Sequence, residues 1–298
     1  MAGRDPRQSA AALGRVILDP VTDTSHLFPG KKFISTVLDA LETKTAMSGS
    51  LTRVYLMRSA MAGGIIGIMY LAYFACVSAF TDVANGHLVG VGKLVGAAVF
   101  GFALIFIYYS KSELLTSNMM VVSIGAYYHR IRAWHGARLL ALCFVGNALG
   151  GAVVALLAAG SSLADGPLGA AMQDTVAHKL DYIAQGTGGM VDLAIRAILC
   201  NFMINLAMLL VYNGLIKEDI TMVVVMVVAV FVFAFVGFEH SVADTVLFTM
   251  VGVHHGIDVG AAALNIAIVL AGNFVGGGLL IGWYYAYAND DRKHLTRR

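Results

Sequence analysis

The sequence predicts an all-α integral membrane protein with six transmembrane helices, arranged as two inverted three-helix repeats with broken second and fifth helices. Three observations predict it: the composition, the placement of basic residues, and an internal repeat. Of 298 residues, 58% are apolar and only 13% are Asp, Glu, Lys or Arg, with a mean hydropathy of +0.77. A soluble domain carries about a quarter charged residues, so a soluble enzyme, a nucleic-acid binder and a disordered chain are all excluded. One crossing takes about 20 apolar residues, which gives the charge-poor stretch from Met57 to Asn289 room for roughly six to eight. The net charge of +2 identifies no partner.

The elements follow in order. Residues 1–55 read as a polar cytosolic arm without the apolar core and cleavage site of a signal peptide, so the N-terminus is expected to stay cytosolic. Within the arm, Phe33, Val37, Leu38 and Leu41 recur at helical spacing and predict a short amphipathic helix over 31–45, lying on the headgroups or on the bundle. The transmembrane domain is placed at 56–288, with repeats at about 56–161 and 190–288, and a short cytosolic tail at 289–298. Its apolar segments are about 59–81, 94–127, 136–160, 193–214, 220–252 and 260–287. The second and fifth are too long for one ordinary crossing. Each has polar residues near its middle, Ser110 to Asn118 and Glu239 to Asp244. Proline causes neither break, because Pro6, Pro20, Pro29 and Pro167 all lie outside the apolar segments.

Of the 20 Lys and Arg, 16 fall on one side of a six-crossing arrangement: eight before the first segment and eight in the even-numbered loops and the tail. Lys93 and Lys179 fall in the opposite loops, and Lys111 and Arg196 lie within apolar segments. Basic residues accumulate on the cytoplasmic side, which places both termini in the cytosol. The repeat is independent of this count. The run Gly146-Asn147-Ala148-Leu149-Gly150-Gly151 recurs as Gly272-Asn273-Phe274-Val275-Gly276-Gly277, and Glu113 recurs as Glu239, both 126 residues later. Halves with three crossings each must be inverted relative to one another. Inverted repeats with one interrupted helix apiece mark transporters and channels that bind solute near the midplane.

The breaks carry the chemistry, since freed backbone groups are tolerated in lipid only inside protein or along a water-filled path. They supply Thr116, Ser117 and Asn118 from one half and His240, Ser241 and Asp244 from the other. His240 either offers a proton or hydrogen bond to a weak-acid anion or ties down the break as a neutral cap, and its place beside Glu239 favours the first. Glu113 and Glu239 are proton relays or acceptors for freed amide hydrogens, and their symmetry favours the second. Asn147, Asn201 and Asn273 read as bridging groups beside small-residue helix contacts. Lys179, near Asp174, His178, Asp181 and Asp192, is a vestibule lysine that attracts anions or a solvated loop residue. Arg196 is expected a turn inside the fourth segment, at the outer interface or a subunit contact. His254 and His255 read as a loop pair without further zinc ligands. Cys76, Cys143 and Cys200 are too scattered for a disulfide framework or a metal site. No metal or cofactor is expected.

At these residues the sequence resembles the formate/nitrite transporter family, over about residues 30–287. The family's Glu-Leu-Phe-Thr-Gly loop appears as Glu113-Leu114-Leu115-Thr116-Ser117, and its Phe-Glu-His-Ser motif as Phe238-Glu239-His240-Ser241 followed by Ala243-Asp244. A third motif appears as Ile198-Leu199-Cys200-Asn201. The resemblance implies an aquaporin-like protomer with its own pore, a homopentamer in the plasma (inner) membrane, and passage of small monovalent anions with a proton. It implies constrictions at Phe100, Leu104 and Leu114 and at Leu115, Ile204 and Phe233. Thr116 and His240 would form the midpore pair, with Ser117 and Asn201 completing the polar set. The substrate is taken as formate on family prevalence, with nitrite, lactate or acetate, and hydrosulfide as alternatives. A neutral-solute channel of aquaporin type is the other reading, against which stands the lack of paired Asn-Pro-Ala motifs. An enzyme or a nucleic-acid partner is not expected; the partners are the anion, the proton and membrane lipid. Four departures stand out. Leu115 replaces an aromatic, Ser117 a glycine and Asp244 an asparagine. Lys111 stands where small residues are usual and is a candidate partner for Glu113 or Asp244.

Overall fold

The computed structural model describes residues 25–81 and 83–295, so the arm's first 24 residues, with Arg4, Arg7 and Arg15, lie outside the described residues, as do Arg297 and Arg298. The predicted amphipathic helix is α1 (Lys31–Ser50), which buries Phe33, Ile34, Val37 and Leu41. It packs on the bundle: Phe33 meets Tyr285 edge-on at 5.7 Å. Its start is tied to the tail, where Gly30 N–H donates to Asn289 Oδ1 at 2.8 Å and Lys31 pairs with Asp291 at 2.6 Å. Lys31 holds the Asp291 carboxyl below its ordinary range. The small contribution of this exposed pair is therefore present at neutral pH and lost in acid.

Next come α2 (Thr52–Thr81), α3 (Val89–Tyr109, with a turn at Gly101), α4 (Leu115–Tyr127) and α5 (Ala133–Ala159). The second half has α6 (Gly166–Ala184), α7 (Thr187–Tyr212), α8 (Asp219–Val236), α9 (Ser241–His255) and α10 (Val259–Ala288). Among the described residues, α2, α3, α5, α7, α8 and α10 are long and apolar enough to cross a membrane. Large apolar side chains cover much of the outside, including Leu157 at 69% and Ile220 at 75% exposure. Such a surface would aggregate in water and suits lipid.

Both long segments break as expected, into α3 and α4 and into α8 and α9. A left-handed residue ends the first part of each: Lys111 (φ 56°) and Gly237 (φ 80°), at equivalent positions of the repeat. The next amide closes back over the helix end, Ser112 N–H to Ile107 O at 3.0 Å and Phe238 N–H to Phe233 O at 2.9 Å, the bond of a Schellman-type stop. The following amides cross to another helix: Glu113 N–H donates to Arg58 O at 3.2 Å and Glu239 N–H to Arg196 O at 3.5 Å.

An asparagine then clamps each break. Asn147 Nδ2 donates to Glu113 O (2.8 Å) and Ser59 O (2.8 Å), while its Oδ1 accepts from Leu115 N–H (3.1 Å). Asn273 Nδ2 donates to Glu239 O (3.0 Å) and Ala197 O (2.8 Å), and its Oδ1 accepts from Ser241 N–H (2.9 Å). The neighbouring glycines let the clamps approach. A Cβ on Gly150 would lie 1.7 Å from Ala60 O, and one on Gly276 2.0 Å from Ile198 O. Small residues here bring helix backbones into contact, as the Gly-Asn-x-x-Gly-Gly runs predict.

One expectation fails. The stretch before the fourth segment is not a loop but α6, a helix of 19 residues that buries Met172, Val176, Lys179 and Tyr182 along one face. A lysine in that stripe and two carboxylates elsewhere, Asp174 and Asp181, keep the run from reading as apolar. In each half a helix thus stands before the first crossing: α1 precedes α2 as α6 precedes α7.

Truncating either clamp takes the side-chain bond from two backbone groups at the break, the carbonyl before it and the amide after it, at about 1–3 kcal/mol for an unsatisfied group. Asn147→Ala and Asn273→Ala should each lower stability by about 2–4 kcal/mol, read as a fall in thermal midpoint of the purified protein. Lys111→Gly should do the opposite, raising stability by about 1 kcal/mol by removing a side chain from left-handed backbone. An unchanged midpoint in the asparagine variants would refute the clamp.

Candidate functional site

The two breaks meet at a narrow apolar chamber of about 20 Å³. Space of that size holds a water or two. Its lining includes Phe100, Leu104, Leu114, Ile204 and Phe233, together with Ile66, Ala103, Ile107, Val230, Ala243 and His240. Leu114 is the N-cap of α4 and His240 that of α9, at equivalent positions of the repeat. Two helix N-termini, each with partial positive charge, thus converge on one apolar space.

His240 is both a cap and a chamber residue. Its Nδ1 accepts from Ala243 N–H at 3.2 Å, and its Nε2 lies 3.1 Å from Thr116 Oγ1. An Nδ1 that accepts carries no proton, so the neutral ring carries its proton on Nε2 and donates to Thr116. Thr116 then keeps its own hydroxyl proton available. The ring also stacks on Phe233, with centroids 5.8 Å apart. The cap is thus made by Nδ1, and Nε2 is the ring nitrogen turned to Thr116.

On the side of the chain ends lies a larger cavity of about 250 Å³, lined by Lys44, Arg58, Lys111, Glu113, Ser117 and Asn118 among others. Lys44 of α1 pairs with Glu113, whose Oε2 also accepts from Asn118 Nδ2 at 3.1 Å. Asn118 donates further to Tyr55 Oη at 3.1 Å. On the other side, Lys179 of α6 pairs with Glu239 and lies 2.9 Å from Asp244 Oδ1. Lys179, Glu239 and Asp244 are all buried. Each half therefore carries a glutamate at its break and a lysine on the helix that precedes its first crossing.

Several sequence-derived placements change. Lys111 pairs with neither Glu113 nor Asp244; its ammonium sits 5.0 Å above the Tyr108 ring, and Lys44 and Lys179 take those carboxylates. Lys179 is no solvated loop residue. The glutamate side chains accept from lysine and asparagine rather than from freed amides, which the Asn147 and Asn273 clamps satisfy instead. Asn201 bridges backbone, donating to Thr116 O (3.1 Å) and Asn273 O (2.7 Å), and does not line the chamber. Ser117 lines the vestibule, and Leu115 is buried outside the chamber lining. Arg196 lies further into its helix than expected, binding Asp192 at 3.1 Å and the carbonyl of Gly237 at 3.0 Å. It thereby caps the end of α8. His254 and His255 close α9, 3.0 Å from Asp165 and from Gln173 respectively.

Sequence reasoning missed Lys44. The glutamates and asparagines repeat every 126 residues, but Lys44 and Lys179 are 135 apart, because the connections before and after each first helix differ in length. A search at one fixed spacing cannot pair them.

Two broken helices meeting at an apolar constriction, with a charged cavity on one side and a buried lysine–carboxylate cluster on the other, inside a six-helix membrane bundle, define a channel or transporter for a small solute. The family model described as formate/nitrite transporter matches residues 31–287, and the chain belongs to that family. It is 27% identical to the formate channel FocA of Haemophilus influenzae over 78% of this chain and 85% of that protein. It is 29% identical to the nitrite transporter NirC of Salmonella typhimurium over 77% of this chain and 81% of that protein. It is also 26% identical to YwcJ of Bacillus subtilis, an uncharacterized transporter, over 85% of this chain and 95% of that one. A solved structure described as an FNT family ion channel superimposes with a TM-score of 0.75 at 24% identity, covering 87% of this chain and 99% of that one. A pentameric formate channel with formate bound superimposes with a TM-score of 0.63 at 22% identity, covering 79% of this chain and 96% of that one. The protein is thus an integral membrane channel of the formate/nitrite type and not an enzyme.

Retaining the cap while deleting the Nε2–H separates the two roles of His240. His240→Asn preserves an N-cap acceptor and should leave the thermal midpoint nearly unchanged. His240→Phe should cost about 1 kcal/mol through the lost cap. Equal loss in both variants would refute the assignment of Nδ1 as the cap.

Proposed function

We propose that the protein carries small monovalent weak-acid anions together with a proton, with formate as the preferred substrate. Each protomer of a homopentamer in the plasma membrane has its own pore at 56–288, with both termini in the cytosol. The observation that carries this reading is the apolar chamber of about 20 Å³ between two lysine-bearing sites. A carboxylate crossing such a space as a bare ion faces a penalty of tens of kcal/mol by Born estimates. Desolvation raises an acid's proton affinity, so an anion that sheds its water at the mouth of the chamber takes up a proton and crosses neutral. The lysines and the helix N-termini favour the anion up to that point. His240 Nε2–H and the Thr116 hydroxyl then offer hydrogen bonds to the neutral acid. His240 already uses Nδ1 as an acceptor, so bulk water is the simpler proton source. The relatives are named for formate and for nitrite at nearly equal identity, and the choice of formate rests on family prevalence.

Labelled formate uptake into proteoliposomes should saturate and rise with an inward proton gradient. Nitrite, lactate, acetate and hydrosulfide should compete less well than unlabelled formate. A better competitor would replace formate as the substrate, and saturable uptake indifferent to pH would replace proton-linked passage with an open anion channel. His240→Asn should reduce uptake by about tenfold or more, as expected for one lost hydrogen bond of about 1.5 kcal/mol to a desolvated group. Unchanged flux would remove His240 from the path.

A further inference from the structure

The two charged clusters are equivalent by the repeat but unequal in charge. On the side of the termini, Lys44 faces Glu113 and the third member is the amide of Asn118. On the far side, Lys179 faces Glu239 and the residue at the position of Asn118 is Asp244. One ammonium thus serves two carboxylates, in a site where Asp244 is 1% and Glu239 3% exposed. Among the described residues, Asp244 Oδ2 is buried without a hydrogen-bond partner. An uncompensated charge in such a place is costly, and two carboxylates sharing one site do not both ionise readily.

Among the described residues, the groups facing the cluster do not supply the missing charge. Tyr70 and Tyr73 of α2, Tyr182 of α6 and Cys200 of α7 surround it and are neutral at ordinary pH. Arg196 is committed to Asp192 and the Gly237 carbonyl. His240 is held neutral by its cap, and α10 has no charged residue. At the far end of α9, His254 is engaged with Asp165.

We infer that Glu239 and Asp244 hold one proton between them beside Lys179, making the far-side cluster a proton-carrying site one helical turn from His240. Asp244 N–H donates to His240 O at 2.8 Å, so the acid and the chamber ring share the first turn of α9. With the proton bound, the cluster is neutral and resembles its counterpart around Lys44. With the proton lost, it carries one negative charge at the approach to the chamber and repels an incoming anion. Asp244 is then a positioning residue that makes entry from its side depend on pH beyond the substrate's own titration. This consequence rests on the proposed anion passage; the proton site does not.

Infrared spectroscopy of the purified protein in lipid tests the site directly. Near neutral pH the wild type should show a deuterium-sensitive carbonyl band of a protonated carboxyl, which both Asp244→Asn and Glu239→Gln abolish, since either leaves one carboxylate for one lysine. Formate uptake tests the consequence. The ratio of uptake at acid to alkaline outside pH should fall about tenfold in Asp244→Asn, the effect of one charge near the path at intermediate dielectric, and should be retained in Asp244→Glu. Absence of the band, or its survival in both variants, overturns the proton site. An unchanged uptake ratio in Asp244→Asn overturns its link to transport. A band that behaves as expected in a protein taking up no formate upholds the site and refutes formate as the substrate.

Discussion

Everything in this structure depends on satisfying the backbone groups that two interrupted helices release inside a membrane. Each break frees amides and a carbonyl where no water can reach them. Asn147 and Asn273 answer this with one amide side chain each, bonding a carbonyl just before the break, an amide just after it and a carbonyl of a neighbouring helix. The glycines beside them bring the helices close enough for those bonds to form. Because the clamps hold the breaks, the N-caps Leu114 and His240 can face the chamber without carrying the fold themselves.

The charged residues follow from the same constraint. A glutamate at each break must be paired, and the pairing lysines come from α1 and α6, outside the six crossings. The helices before each first crossing are therefore part of the pore's electrostatics. They place a lysine at either approach to the chamber, and the chamber between them is too small for a hydrated ion. From the Lys44 cluster through the chamber to the Lys179 cluster, the side chains thus run from charged to apolar to charged.

The departure from symmetry at Asp244 gives the two sides different chemistry. Where the half near the termini has an amide, the other half has an acid, so two clusters at equivalent positions of the repeat carry different charge. A single side chain suffices because both clusters are buried, and burial makes each unit of charge count.

The sequence by itself determined the six crossings, the two breaks, the paired asparagines and the family. Each is written in local composition or in a spacing that survives along the chain: apolar length sets a crossing, and the 126-residue repeat links Glu113 to Glu239 and Asn147 to Asn273. The tertiary structure alone decided the partners. Lys44, an unremarked basic residue of the arm, pairs with Glu113, while nearby Lys111 turns away on left-handed backbone to lie over Tyr108. Lys179 passes from loop to helix because α6 gains its order by burying one face against the bundle, not from its own apolar content. Asn201 bridges backbone and Leu115 is buried outside the chamber lining for the same reason, since which face of a helix meets the chamber is settled by packing between helices. Ion pairs and pore linings join residues far apart in the chain, through geometry that no periodicity records.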